Sequence, residues 1–337
     1  MHAHHSVLST YVETLVENDY TSGKFDKCFG SENTASSPVP EIDLVLDGGA
    51  FNGGYSLGAL LYIKCAEKKG YIRVARISGC SVGACIGLAF VLDKLHLMSG
   101  VLSRFMDLFR KKNNMSFYKE FVTEFLDVIL EENDLAKCQN SLYISCFNKN
   151  ENKQIVVNTY KQKENLLQAI LRTIYIPFIS SNHITDAEGY IDGAYPHIFR
   201  GEEEVKGRKQ LYIQLNGIDK FFNMIHIKSE TSMLNRIIRG VEDMRMFVLR
   251  SGDTTFMCSF VERWNEVDKV MYNSKPLICT YVLTALQEVQ RAYDLYFPEN
   301  LKEKISIISH MEASKNVYNL MVHLITGILE SSIRKIV

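Results

Sequence analysis

From residue 41 onward the chain alternates between two hydrophobic periods. Ile42-Asp43-Leu44-Val45-Leu46 is a short apolar run that stops at Asp47-Gly48-Gly49, the length and ending of a buried strand followed by a turn. Gly54 to Lys69 then carries Leu57, Leu60, Leu61 and Ile63 at helical spacing, and Gly70 closes it, as a glycine just past a helix end commonly does. Arg73 to Ser78 predicts a second strand, Gly79 to Gly83 a tight turn, and the small apolar residues up to about Leu92 another helix. That alternation of strand, glycine loop, helix, strand, turn and helix predicts a parallel sheet with helices on its faces. A more helical stretch follows over about 98–135, and strands resume at Leu142–Phe147 and Gln154–Asn158. A helix from about Glu164 to Thr173 leads to Ile176-Pro177-Phe178, Tyr190-Ile191 runs into Asp192-Gly193, and Leu211–Leu215 reads as a further strand.

Three regions follow from this patterning. Residues 1–40 predict a flexible leader: a short helix near Ser9–Glu17, then Ser/Thr/Asn/Gly-rich sequence ending Ser36-Ser37-Pro38-Val39-Pro40, a linker composition. Residues 41–220 form the α/β core. Residues 221–337 predict a mainly helical extension packed on it, ending in an amphipathic stretch where Val317, Leu320, Met321, Leu324, Ile325, Ile328 and Leu329 recur at helical spacing. The plain reading of that stretch is a helix packed on the domain. The sharper one is a lid or membrane-facing element, for which the flanking Arg334 and Lys335 give little cationic support.

Composition narrows the function classes. The 337 residues are 46% hydrophobic and 23% charged, as in an ordinary globular protein. The formal net charge of −1 gives no basic footprint for a nucleic-acid partner. The eight cysteines contain no C-x-x-C pair, and several sit in apolar runs. They read as reduced thiols, which together with an N-terminus unlike a signal peptide favours an intracellular site, cytoplasmic or peripheral to a membrane. The uncharged run from Ile77 to Leu92, interrupted by Gly79, Gly83 and Gly87, is shorter than the roughly 20 residues that span a bilayer. No metal-ligand constellation is evident, so no metal and no cofactor are expected.

Candidate chemistry lies in three short elements. Gly79-Cys80-Ser81-Val82-Gly83 puts a serine between small residues at a strand-to-helix turn, where close backbone approach demands glycine and the following helix points its amides at developing negative charge. Asp47-Gly48-Gly49-Ala50-Phe51-Asn52-Gly53 also follows a strand, and successive small residues let several N–H groups converge, as in an oxyanion hole. A phosphate-binding loop and a plain structural turn compete with that reading, although the Gly-Lys-Ser/Thr ending of a P-loop is missing and Ala50 breaks the dinucleotide pattern. Asp192-Gly193-Ala194 is by itself only a turn signal.

Taken in order, these elements resemble the patatin-like phospholipase family. Its loop Asp-Gly-Gly-Gly-x-Arg-Gly, followed after four residues by another glycine, is matched by Asp47, Gly48, Gly49, Gly53 and Gly58. Its Gly-x-Ser-x-Gly elbow is matched by Gly79, Ser81 and Gly83, and its Asp-Gly-Gly/Ala element by Asp192, Gly193 and Ala194. Ile176-Pro177-Phe178 is similar to the apolar Pro-containing segment before that element, and the match spans roughly residues 42–215. The resemblance implies a three-layer α/β/α sandwich with a mainly parallel central sheet, and a lipid acyl hydrolase with a Ser–Asp dyad and an acyl-enzyme intermediate. Ser81 would be the nucleophile, Asp192 the proton acceptor, and Gly48, Gly49 and Ala50 the oxyanion donors. The partner implied is a lipid substrate at a membrane or lipid-aggregate surface. Two departures stand out: Ala50 replaces a glycine, which costs something if the loop needs φ above zero, and Asn52 replaces an arginine, which removes a fixed positive charge and implies a weaker hole.

Two other readings compete. A Ser-His-Asp esterase would draw on His183, His197 or His226, of which only the last two follow Asp192. A non-catalytic lipid-binding or scaffold protein would keep the fold and tolerate Ala50 and Asn52.

Overall fold

A computed structural model describes residues 2–30, 39–112, 114–181, 183–193, 195–215 and 233–296. The described residues contain a seven-stranded sheet made of β1 (Glu41–Leu46), β2 (Arg73–Gly79), β3 (Leu142–Asn148), β4 (Lys153–Val157), β5 (Tyr190–Asp192), β6 (Lys209–Ile213) and β7 (Cys258–Phe260). Its order is β4-β3-β2-β1-β6-β7, with β5 paired to β3 off that path. The central neighbours β3–β2, β2–β1 and β1–β6 are parallel. The antiparallel pairs lie toward the edges, β3 with β4 and with β5, and β6 with β7.

Strand alternation sorts the side chains of β1 into two layers. Ile42, Leu44 and Leu46 enter the main core, whereas Val45 joins a second cluster with Ile198, Tyr212 and Trp264. Over the first face lie α3 (Gly53–Lys68), α4 (Val82–Val91) and α9 (Leu234–Leu249), and near the edge of β3 lies α8 (Lys163–Thr173). Over the second face lies α10 (Glu266–Tyr296), whose Tyr272 packs on the second cluster. The result is a three-layer α/β/α sandwich with helices added after the core. The helices between α4 and β3, namely α5 (Leu95–Lys112), α6 (Tyr118–Ile129) and α7 (Asp134–Cys138), complete the first layer. Among the described residues no helix is long and apolar enough to cross a membrane.

The leader is a correction to the sequence reading. Residues expected to be flexible form α1 (His2–Thr21) and α2 (Lys24–Phe29), with Val12, Leu15, Val16, Phe25, Cys28 and Phe29 buried. Their apolar stripe looks sparse along the chain, yet α3 supplies the surface that covers it. A buried carboxylate fixes the contact: Asp19 accepts from Tyr62 Oη at 2.9 Å and from Arg245 Nε at 2.9 Å, joining α1 to α3 and α9. Hydrogen bonds to a charged acceptor are the stronger kind, about 1.5–3 kcal/mol each. The Ser/Thr-rich residues 31–38 and the amphipathic stretch 313–337 lie outside the described residues.

Candidate active site

The loops after β1 and β2 emerge side by side, because the two strands are parallel neighbours paired up to Leu46 and Gly79. The chain runs from β1 to β2 and β3 on one side and returns to β6 on the other. The carboxyl ends at such a reversal form a crevice, the usual ligand position in α/β sheets.

β2 ends at Gly79 and α4 begins at Val82, so Cys80 and Ser81 are the whole connection. Ser81 has φ 53 and ψ −132, a left-handed backbone angle for a non-glycine residue. Such strain persists only where the surroundings over-determine it. Two contacts do so here. The Ser81 amide donates to Thr173 Oγ1 at 2.8 Å, and that hydroxyl in turn donates to the Ser145 carbonyl at 2.6 Å. On the other side, the first turn of α4 presses on the end of β1: a Cβ on Gly83 would lie 2.6 Å from the Asp47 carbonyl oxygen. Gly79 is equally tight against α4, since a Cβ there would lie 2.8 Å from the Ala84 nitrogen.

The glycine loop stands against this elbow. A Cβ on Gly48 would lie 3.0 Å from Ser81 Cβ, so only glycine fits without a shift. The Gly48 N–H is committed to the Cys80 sulfur at 3.1 Å. The amides of Gly49 and Ala50 have no partner among the described residues. Gly49 is extended, with φ 173, whereas Ala50 sits at φ 43. The loop therefore does need φ above zero at Ala50, and the alanine bears that cost. Gly53 opens α3 where a Cβ would lie 2.6 Å from Val82 Cγ2.

Asp192 arrives from the opposite direction. On one edge of β3, Ile144 pairs with Gly79 of β2, and two residues later Cys146 pairs with Asp192 of β5. At about 3.3 Å per residue, β5 takes up that edge roughly 7 Å beyond the point where β2 turns into the elbow. The Asp192 amide donates to the Tyr175 carbonyl at 2.7 Å. Gly193 packs onto the elbow itself, because a Cβ there would overlap the Ser145 carbonyl and lie 3.0 Å from Cys80 Cβ. Ala194 lies outside the described residues.

Three thiols surround the pair and stay protonated. Burial, followed by the negative charges of Asp47 and Asp192, pushes Cys80 well up. Burial and then Asp192 push Cys85 up to about 12, and Cys146 is raised to about 12 mainly by burial. A buried thiol held protonated is inert as a nucleophile, which leaves Ser81 as the candidate nucleophile at the elbow.

Three further residues were not legible as site components. Thr173 is one. The second is Lys275 on α10, whose Nζ lies 3.5 Å from the fully buried Asp47 and donates to Tyr212 Oη at 2.9 Å. Burial raises the Asp47 pKa, and the Lys275 charge and the Tyr212 hydroxyl oppose the rise. The third is Arg236 on α9, whose Nη1 donates to the Phe51 carbonyl at 2.8 Å and to Asn52 Oδ1 at 3.0 Å. The positive charge expected to be missing at Asn52 is thus supplied from another helix.

The histidines lie elsewhere. His197 Nε2 pairs with Glu203 Oε2 at 2.5 Å and its ring packs on Phe199 and Tyr143. The His183 carbonyl accepts from Tyr175 Oη, and His226 lies outside the described residues. No group of three or more metal-ligating side chains comes together among the described residues.

No curated protein matches the chain significantly. The segment 44–196, which holds the glycine loop, the serine elbow and the Asp192 strand, matches the family model of the Patatin-like phospholipases. Over residues 44–196 the chain thus carries a segment similar to the patatin-like phospholipases, a family of lipid acyl hydrolases.

Proposed function

We propose that the chain cleaves carboxylic ester bonds of lipids through Ser81 and Asp192, by way of an acyl-enzyme. One observation carries the reading: Ser81 holds φ 53 in a two-residue strand-to-helix junction, with the Gly48–Ala50 loop on one side and the β5 strand end on the other. Strained non-glycine residues cluster where the strain serves a mechanism.

In this mechanism Ser81 Oγ attacks the ester carbonyl and its proton passes to Asp192. The tetrahedral oxyanion forms beside the Gly49 and Ala50 amides. Gly48 is left out of that role, because its N–H is already bonded to Cys80. Collapse expels the alcohol, which takes the proton from Asp192. Water then attacks the acyl-Ser81 ester, giving a proton to Asp192, and release of the fatty acid returns that proton to Ser81. An unperturbed aspartate, with a pKa of about 3.9, is a weak base, so transfer depends on a direct contact closed by substrate and sheltered from water. Catalytic hydrogen bonds of this kind commonly tighten only in the substrate complex. The positive end of the α4 dipole adds further stabilisation at the elbow. The substrate would be drawn from a membrane or lipid aggregate.

The test combines a fluorophosphonate probe with mixed phospholipid vesicles, using wild type, Ser81→Ala and Asp192→Asn. Labelling and fatty-acid release both vanish in Ser81→Ala, and release is lost in Asp192→Asn. A folded wild type that neither labels nor releases fatty acid would sink the proposal in favour of the scaffold reading. Loss of release in His197→Ala or His226→Ala would instead favour a Ser-His-Asp mechanism.

A further inference from the structure

Helix α9 lies outside the segment that matches the family model, yet it touches the glycine loop. Its approach is set by glycines. A Cβ on Gly54 would lie 2.6 Å from Met233 Sδ and 2.9 Å from Arg236 Cβ; a Cβ on Gly58 would overlap the Ile237 carbonyl, and one on Gly240 the Tyr55 carbonyl. Backbone-to-backbone packing of α9 on α3 brings the buried Arg236 over the start of α3. There its Nη1 forks between the Phe51 carbonyl and Asn52 Oδ1. Asn52, also buried, passes the contact on, its Nδ2 donating to the Leu215 carbonyl at 2.9 Å. Leu215 closes the back of the loop: a Cβ on Gly49 would lie 2.5 Å from Leu215 Cβ. The loop is gripped from α9 on one side and from the end of β6 on the other.

We propose that Arg236 is a positioning residue that holds Ala50 in its left-handed conformation and so keeps the Gly49 and Ala50 amides aimed at the carbonyl oxygen of the ester attacked by Ser81. This rests on the ester-hydrolase reading given above. Ala50 sits at φ 43, a conformation disfavoured for any residue with a Cβ. The peptide after Phe51 and the Asn52 side chain are anchored by Arg236. If Ala50 relaxed to negative φ, the anchored side would pull free or the Gly49 and Ala50 amides would turn away. Truncating Arg236 removes the anchor and leaves two buried acceptors unmatched.

The experiment compares Arg236→Met in two backgrounds, Ala50 and Ala50→Gly, following hydrolysis of a soluble p-nitrophenyl ester. With Ala50 present, kcat falls roughly 5- to 30-fold, the population shift that the left-handed penalty corresponds to, and KM stays within about 2-fold. With Ala50→Gly in place the same change costs less than about 3-fold, because glycine reaches positive φ without a brace. Arg236→Lys keeps the charge without the fork, falls alongside Arg236→Met, and serves as the second variant if Arg236→Met does not fold. Equal losses in both backgrounds, or a loss confined to KM, would overturn the proposal. Amide hydrogen exchange across residues 48–55 reads the brace without activity: exchange rises in Arg236→Met, and unchanged exchange overturns the brace alone. A folded wild type with no esterase activity and no Ser81 labelling overturns the ester-hydrolase reading and the catalytic role of Arg236 with it.

Discussion

Replacing Lys275 by methionine isolates the contact between the last described helix and the first residue of the glycine loop. Asp47 has no exposed surface, and Lys275 Nζ stands 3.5 Å from its carboxylate. At an effective dielectric of about 20, two unit charges at that distance attract by about 5 kcal/mol. Removing one partner of a buried pair costs about 3–5 kcal/mol in measured cases, so both routes give the same size of loss. Against a net stability of roughly 5–15 kcal/mol, that is a large fraction. The sign of its pH dependence follows from burial, which raises the Asp47 pKa from its ordinary 3.8 while Lys275 opposes the rise. Without Lys275 the folded-state pKa climbs further. A raised acid favours the folded state below its unfolded pKa, and that advantage is lost as pH rises through the folded value. Lys275→Met is therefore less destabilised at pH 5 than at pH 8. Urea unfolding at both pH values, for wild type, Lys275→Met, Asp47→Asn and the double variant, tests this. Asp47→Asn recovers most of the loss at pH 8, since the amide needs no cation. An equal loss at the two pH values with no recovery in the double variant would refute the buried ion pair as the cause.

Thr173→Val strands the buried Ser81 amide and the Ser145 carbonyl. It should cost about 1–3 kcal/mol in chemical denaturation and slow fluorophosphonate labelling of Ser81. Gly83→Ala places a Cβ 2.6 Å from one backbone oxygen and 2.7 Å from another. The α4 helix must shift, which costs about 1–3 kcal/mol or more, and labelling should fall at least about 10-fold, by the sensitivity of reacting geometry to displacements of an ångström. Unchanged labelling would show that the elbow tolerates the shift. Asp134 is held at about 2 because hydrogen bonds from Lys137, the Glu131 amide and Lys94 outweigh the opposing effect of burial. Its contribution is present above the ordinary value of 3.8 and lost as pH falls through about 2. Wild type should therefore lose about 2 kcal/mol more than Asp134→Asn between pH 5 and pH 2, and parallel acid-unfolding curves would contradict this.

The succession β1, α3, β2, α4 was legible along the chain because each element is coded locally. Apolar runs of strand length alternate with helical spacing, and Gly48-Gly49, Gly70 and Gly79 to Gly83 punctuate them. The serine elbow was legible for the same reason, since so sharp a strand-to-helix turn needs small residues next to the serine in sequence. Asp192 required more. As a dipeptide Asp-Gly carries no information, and only its order after the other two motifs singled it out. The helix near Ser9–Glu17 was legible, but its docking on the core escaped because the stripe of Val12, Leu15 and Val16 gains meaning only against α3.

Local pattern by itself determined the strands β1 to β6, the glycine loop and the position of the candidate serine, because backbone geometry within a few residues selects for glycine, apolar period and turn chemistry, whereas the short β7 fell in a stretch whose pattern read as helical. Tertiary structure alone decided what holds the site in shape. Thr173 reaches Ser81 across 92 positions, and Arg236 reaches Asn52 across 184, while Lys275 crosses from the other face of the sheet. Such partners leave no periodic trace, since any buried donor or cation delivered to the right point satisfies the same buried group. Packing geometry, set in part by Gly58 against α9, chooses which one arrives.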